Sequence, residues 1–188
     1  MEKPLLSHTE KPLLLVDVDG VISLFGFEAS QPPPGTFQFV DGIAHYLSAD
    51  AGGHLLELAE VFDLAWCTGW EEKANEYLPF ALGLPGPLPL VAFDACHRPA
   101  GAHWKLAGIG AYDVDPSRPL AWLDDAHDEH CTAWATTRSG PTLLVTTEPA
   151  VGITDAHVAV LRDWAGPGLA EPVRRLGEPL DTARQLRA

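Results

Sequence analysis

Residues 13–20 read Leu-Leu-Leu-Val-Asp-Val-Asp-Gly. Four apolar residues make a short buried strand, a glycine ends it, and two carboxylates stand at its end. Side chains alternate faces along extended chain, so Asp17 and Asp19 tend to point the same way. An apolar strand that runs straight into acid suits an open parallel sheet, whose ligands bind beyond the carboxyl ends of its strands. Two like charges so close are costly unless a cation or a shared proton relieves them. Oxygen ligands suit a hard divalent ion such as magnesium. The spacing is not that of an EF-hand loop, because Gly20 follows directly on the second aspartate. A solvated turn that happens to hold two aspartates is the competing reading, and the rest of the chain decides.

Four further apolar runs, 61–67, 90–93, 120–123 and 142–147, read as strands. Helical patterns lie at 54–60, from about Glu71 to near Gly83, at 102–108, at 127–137 and at 155–164. Strands alternating with helices imply a parallel sheet covered on both faces. The expected fold is therefore α/β, a Rossmann-like three-layer α/β/α sandwich with a five-stranded parallel sheet. Residues 36–40 and 43–47 flank Asp41-Gly42, a strong two-residue hairpin signal. Residues 21–48 are thus expected to form a small β-hairpin flap over the end of the first strand. One domain is expected over residues 1–165. The tail, 166–188, turns to Gly, Pro and Arg and holds one candidate helix, 173–186.

The formal net charge of -14 works against a non-specific grip on nucleic acid or anionic membrane, since both need basic surface. Cys67, Cys96 and Cys131 show neither zinc spacing nor a disulfide framework. The N-terminus lacks the apolar core of a signal peptide, and the longest uncharged apolar stretch, 78–93, is broken by Pro79, Pro85, Pro87 and Pro89. A soluble, cytoplasmic protein with reduced thiols and no membrane partner is expected.

The residues with chemical potential gather where strands end. Asp17 and Asp19 follow the first strand, Thr68 and Gly69 the second, and Asp124 and Asp125 the fourth; Lys105 lies on the element after the third. In a parallel sheet those ends share one edge, so distant residues meet in one crevice. Together they suit phosphate transfer. Magnesium would sit among Asp17, the Asp19 region and Asp124. Thr68, with N–H groups at a helix start, would take phosphate oxygens, and Lys105 would neutralise the phosphoryl charge. His127 and His130, three apart on a predicted helix, lack a third ligand and read as an exposed face. Cys67 reads as core, and Trp70, directly after Thr68-Gly69, is kept as an accessory candidate.

Asp17-Val18-Asp19-Gly20, Thr68-Gly69, Lys105 and Asp124-Asp125, in that order over residues 11–165, resemble the four motifs of the haloacid dehalogenase (HAD)-like hydrolase superfamily. The resemblance implies a magnesium-dependent phosphomonoester hydrolase. Asp17 would be the nucleophile that becomes phosphorylated, and Asp19 the general acid/base, giving its backbone carbonyl to magnesium. Thr68, Gly69 and Lys105 would hold the phosphoryl group, and Asp124 the metal. Either Asp125 or Asp128 would be the second acid of the fourth motif. The intervals after the first strand and after Thr68-Gly69 leave no room for a full cap domain, so a capless or minimal-cap member with an open site is expected. The short hairpin, Trp70 and the run Gly152-Ile153-Thr154-Asp155 with His157 are similar to HAD domains of bacterial RNA-repair proteins. That finer resemblance sets end-phosphorylated nucleic acid beside a small phosphate ester as the partner substrate. The alternative to an enzyme is a binding or regulatory domain that keeps the fold and turns over little.

Overall fold

The computed structural model describes residues 11–93 and 102–166. In chain order its elements are β1 (Leu13–Val16), β2 (Ser23–Leu24), β3 (Gly35–Val40), β4 (Ile43–Ser48), α1 (Ala51–Leu58), β5 (Asp63–Trp66), α2 (Glu72–Leu82), α3 (Leu106–Tyr112), β6 (Leu120–Asp124), α4 (Glu129–Thr137), β7 (Thr142–Thr146) and α5 (Asp155–Ala165). β1 is buried along its whole length, as an uninterrupted apolar run in a parallel sheet should be. It pairs in parallel with β5 on one side and β6 on the other, and β6 pairs with β7, giving the order β5-β1-β6-β7.

The alternation of side chains sorts the core into two layers. Leu14, Val16, Leu64, Trp66, Ala121, Leu123 and Val145 face one cluster, which Leu55 and Leu58 of α1, Leu78 of α2 and Leu161 of α5 complete. Leu15, Ala65, Cys67, Trp122 and Leu144 face the other, closed by Ile109 of α3 and by Cys131 and Ala135 of α4. From β1 the chain goes first to β5 on one side, by way of α1, and later crosses to β6 on the other. That reversal leaves a crevice at the carboxyl ends of β1 and β6, the place where such sheets hold ligands.

The sheet has four strands, not the five expected. At 90–93 only Leu90 forms a bridge, to Trp66. The carbonyl of Pro89 accepts from the N–H of Trp66, and Val91 donates back to the carbonyl of Trp66. The prolines before Leu90 have no N–H to extend the ladder. Two helix starts also move by three residues or more, and α4 begins at Glu129, two residues later than expected. α1 begins at Ala51, three residues early, because Gly52 and Gly53 conceal its first turn from a reading by propensity. α3 begins only at Leu106, with Lys105 at its cap. The candidate helix 173–186, like Cys96, lies outside the described residues.

The hairpin forms where Asp41-Gly42 signals it. β3 and β4 pair antiparallel from Gly35↔Ser48 to Val40↔Ile43, with β2 added beside β4. Asp41 and Gly42 take φ of 51° and 82°, the double positive φ of the turn that matches strand twist. Lys73 of α2 forms an ion pair with Asp41, and Tyr77 also donates to it, so the hairpin tip is tied to α2. Among the described residues no helix is long and apolar enough to cross a membrane.

One side chain fixes the end of β5. Asn75 Oδ1 accepts from Trp66 Nε1 at 2.9 Å and from the Leu88 N–H at 2.9 Å, while its Nδ2 donates to the Leu88 carbonyl at 2.8 Å. It clasps strand, helix and the following loop together just before Thr68. Asn75→Ala leaves all three groups without that partner; at about 1–3 kcal/mol per buried group left unmade, with partial rescue by water, the expected loss is about 2–4 kcal/mol. Urea unfolding should show a lower midpoint at unchanged slope.

Candidate functional site

Sheet register sets Asp17 beside Asp124. Val16 pairs with Leu123, and the Asp17 N–H donates to the Leu123 carbonyl at 3.0 Å. Both carboxylates are buried, at 6% and 0% exposure, and Lys105 between them is exposed by only 3%. Lys105 Nζ lies 2.8 Å from Asp17 Oδ2 and 2.6 Å from Asp124 Oδ2. Asp124 is held further: its Oδ2 accepts from Trp122 Nε1 at 3.0 Å and its Oδ1 from the Ala126 N–H at 3.0 Å. Trp122 stands two residues before Asp124 on β6, so the indole and the carboxylate share a face.

Asp125 completes the cluster. One carboxylate oxygen each from Asp17, Asp124 and Asp125 lies within 4.8 Å of the others. The loop after β1 packs directly on Asp125: Gly20 has φ of +72°, and a Cβ there would stand 2.4 Å from Asp125 Cγ. Only glycine tolerates both conditions. Thr147 pins this loop, donating from its hydroxyl to the Gly20 carbonyl at 2.8 Å and from its N–H to the Asp124 carbonyl.

Three carboxylates thus face one ammonium. Burial pushes Asp17 up from 3.8 to about 7, against the opposing pull of Lys105. Burial, then the neighbouring Asp124, raises Asp125 as well. Burial works against the charge of Lys105, but Asp17 and Asp124 outweigh it and hold the ammonium protonated. The surplus negative charge asks for a proton on Asp17 or for a further cation. The all-oxygen donor set fits a hard divalent ion.

The other expected residues fall at the same sheet end in different roles. Thr68 is buried; the Cys67 N–H donates to the Val16 carbonyl, which brings the chain to the crevice, and Thr68 Oγ1 accepts from the Trp70 N–H at 3.3 Å. Gly69 lies against Trp104, whose ring would be 3.6 Å from an added Cβ. Glu71, just before α2, has φ of 50°, a costly conformation for a non-glycine residue and one that clusters at functional loops. The Asp19 carboxylate is not one of the three clustered acids; its Oδ2 accepts from Trp70 Nε1 at 3.0 Å, and Asp125 takes the third position in the cluster.

Asp128 is outside the cluster. It caps α4, its Oδ1 accepting from the Cys131 N–H at 2.9 Å. His127 and His130 do not share a helical face, because α4 starts only at Glu129. The ring of His127 packs edge-on against Trp122, its Nδ1 is 2.9 Å from Thr146 Oγ1, and burial pushes it down to about 4, so it is neutral. Cys67 is core, its thiol raised well above 9.0 by burial. Sequence reasoning missed Trp122 and also His45, which reaches the crevice from β4. A Trp-x-Asp pair at a strand end is the signal for the first. For the second, the alternation His45, Leu47 along one hairpin face was available.

The fold and site together define an α/β protein with a buried carboxylate–ammonium cluster at the switch point of a parallel sheet. Neither the family models nor the curated proteins compared with this chain give a match.

Magnesium added to chelator-treated protein should raise Tm by mass action. Asp125→Asn should blunt that rise. Asp128→Ala should keep it while losing a helix cap worth about 0.5–2 kcal/mol. Without metal, the proton held by Asp17 to about pH 7 in the folded state leaves the unfolded chain near 3.8. Its stabilising contribution is therefore full below the lower value and lost as pH rises through the upper. Calorimetry in chelator should show this decline between acid and neutral pH in the native sequence, and Asp17→Asn should flatten it.

Proposed function

We propose that the chain is a magnesium-dependent phosphomonoester hydrolase working through a phospho-aspartate, and a minimal-cap member of the HAD-like superfamily. The reading rests on the Lys105 ammonium shared by the buried Asp17 and Asp124 carboxylates in the strand-end crevice, with Asp19 two residues beyond Asp17. Magnesium, held by Asp17, Asp124 and Asp125, would supply charge neutralisation to the phosphoryl oxygens. In the first half-reaction an Asp17 oxygen forms a bond to phosphorus. The bond from phosphorus to the leaving oxygen breaks, and Asp19 gives that oxygen its proton. In the second, Asp19 takes a proton from water, the water oxygen bonds to phosphorus, and Asp17 leaves as a carboxylate with release of inorganic phosphate. Lys105 offsets the charge spread over the transferring group, and Thr68 with the N–H groups near it takes phosphoryl oxygens.

A small phosphate ester suits the site better than a nucleic-acid end. Among the described residues Lys73, Lys105, Arg118, Arg138 and Arg162 lie against carboxylates, and Lys11 donates to the Ala59 carbonyl. A phosphodiester backbone needs unpaired cations to displace its counterions.

With an aryl phosphate and magnesium, Asp17→Asn should abolish turnover while the circular dichroism spectrum and unfolding cooperativity persist. A near-normal rate in that variant would exclude Asp17 as nucleophile. Asp19→Asn should slow alkyl phosphates by about 10²–10⁴-fold, the usual worth of general acid–base help. Aryl phosphates with acidic leaving groups should lose less in the first step, and phospho-enzyme should accumulate, seen as a mass increase on the peptide containing Asp17. Equal losses for both substrate types with no trapped intermediate would reduce Asp19 to a structural role.

A further inference from the structure

We propose that His45, on the hairpin, is a positioning residue that holds the Asp19 carboxylate through Trp70; this rests on the phosphohydrolase reading above. Asp19 is the exposed acid of the site, with 51% of its side chain open to solvent. Left alone, such a side chain samples several rotamers. A general acid must instead stand within hydrogen-bond reach of the leaving oxygen, and misplacement by about 1 Å is enough to cost a large part of the rate.

Two aromatic side chains from separate elements restrain it. Trp70, in the turn before α2, donates to Asp19 Oδ2 at 3.0 Å. His45, on β4, places Nδ1 3.8 Å from Asp19 Oδ1. That distance is beyond a hydrogen bond, so the grip of His45 is chiefly indirect. Its ring meets the Trp70 ring edge-on at 4.4 Å between centroids, and the same Nδ1 lies 3.1 Å from the hydroxyl of the buried Ser23. Ser23 belongs to β2, which pairs with β4, and the Gly20 N–H donates to the Ser23 carbonyl. The imidazole is thereby wedged between the turn that carries Asp19 and the indole that binds it. Because Lys73 and Tyr77 tie the hairpin tip to α2, hairpin, indole and acid form one mechanical unit.

Loss of His45 should therefore harm proton delivery more than binding. In His45→Ala the ring that packs on Trp70 is lost. In His45→Phe a ring still packs there, without the Nδ1 contact to Ser23. Single-turnover phosphoryl transfer should fall about tenfold for an alkyl phosphate in His45→Ala, a fraction of the full acid–base contribution. KM and the rate for an aryl phosphate with an acidic leaving group should stay within about twofold. His45→Phe should recover most of the alkyl rate.

A second readout needs no turnover. Solvent exchange of the Trp70 indole N–H, assigned by its disappearance in Trp70→Phe, should quicken in His45→Ala and return toward the native rate in His45→Phe. Equal losses for alkyl and aryl esters, or a Phe variant as impaired as the Ala variant, would overturn the proposal. So would an indole exchange rate that ignores both substitutions. If the native protein hydrolyses no ester, the phosphohydrolase reading fails by itself, and indole exchange alone decides whether His45 holds Asp19.

Discussion

The Lys105 ammonium, lodged between the Asp17 and Asp124 carboxylates, is the interaction on which the crevice depends. Bringing two buried carboxylates together on adjacent strands is unfavourable by both desolvation and repulsion. A buried cation offsets the two effects at once, provided its geometry is fixed. Here it is fixed from several sides: Trp122 and the Ala126 N–H orient Asp124, register orients Asp17, and the cap of α3 delivers Lys105. With Asp125 added, one positive charge still answers three negative ones. The site is built short of a cation, and that shortage is the chemical basis for reading it as a metal centre.

Much of this was legible in the chain because each piece has a local signature. The apolar run ending in Asp17 and Asp19, the Asp41-Gly42 turn and the strand ending in Asp124 and Asp125 are physical instructions about backbone and charge. They turned out to direct the corresponding elements. The misses are also physical. Leu90 looked like a strand start, but the prolines before it lack donors and a single bridge is all that forms. Asp125 and Asp128 could not be told apart by spacing, since their roles depend on where α4 begins. Once it begins at Glu129, Asp128 is used up as a cap and Asp125 is left facing the crevice. For His45 the alternation along β4 marked a hairpin face but not what that face would meet. Its contact with Trp70 depends on how the hairpin leans on α2, a tertiary choice that no local pattern encodes.

The two halves of the site differ in how rigidly they are made. The Asp17–Lys105–Asp124 group sits on strand ends in the core and inherits the stiffness of the sheet. Asp19, two residues further on, is outside that packing and is restrained by side chains on a hairpin and a helix entry. In the proposed phosphohydrolase, charge stabilisation would belong to the sheet, and proton handling to the elements laid over it.

The order of strands in space also has a kinetic meaning. β1 is the first strand of the described chain to be synthesised, yet one of its partners, β6, lies far downstream, and the Thr147 hydroxyl that clamps Gly20 comes 127 residues after it. Contacts of such sequence separation form late, because the entropy of closing the loop must be met before they contribute. During synthesis the Leu13–Val16 strand waits with β5 on one flank and nothing on the other. An apolar strand edge left open in this way invites wrong pairing. Asp17 and Asp19 put charge at the end of that edge, where flanking charges generally hinder wrong pairing.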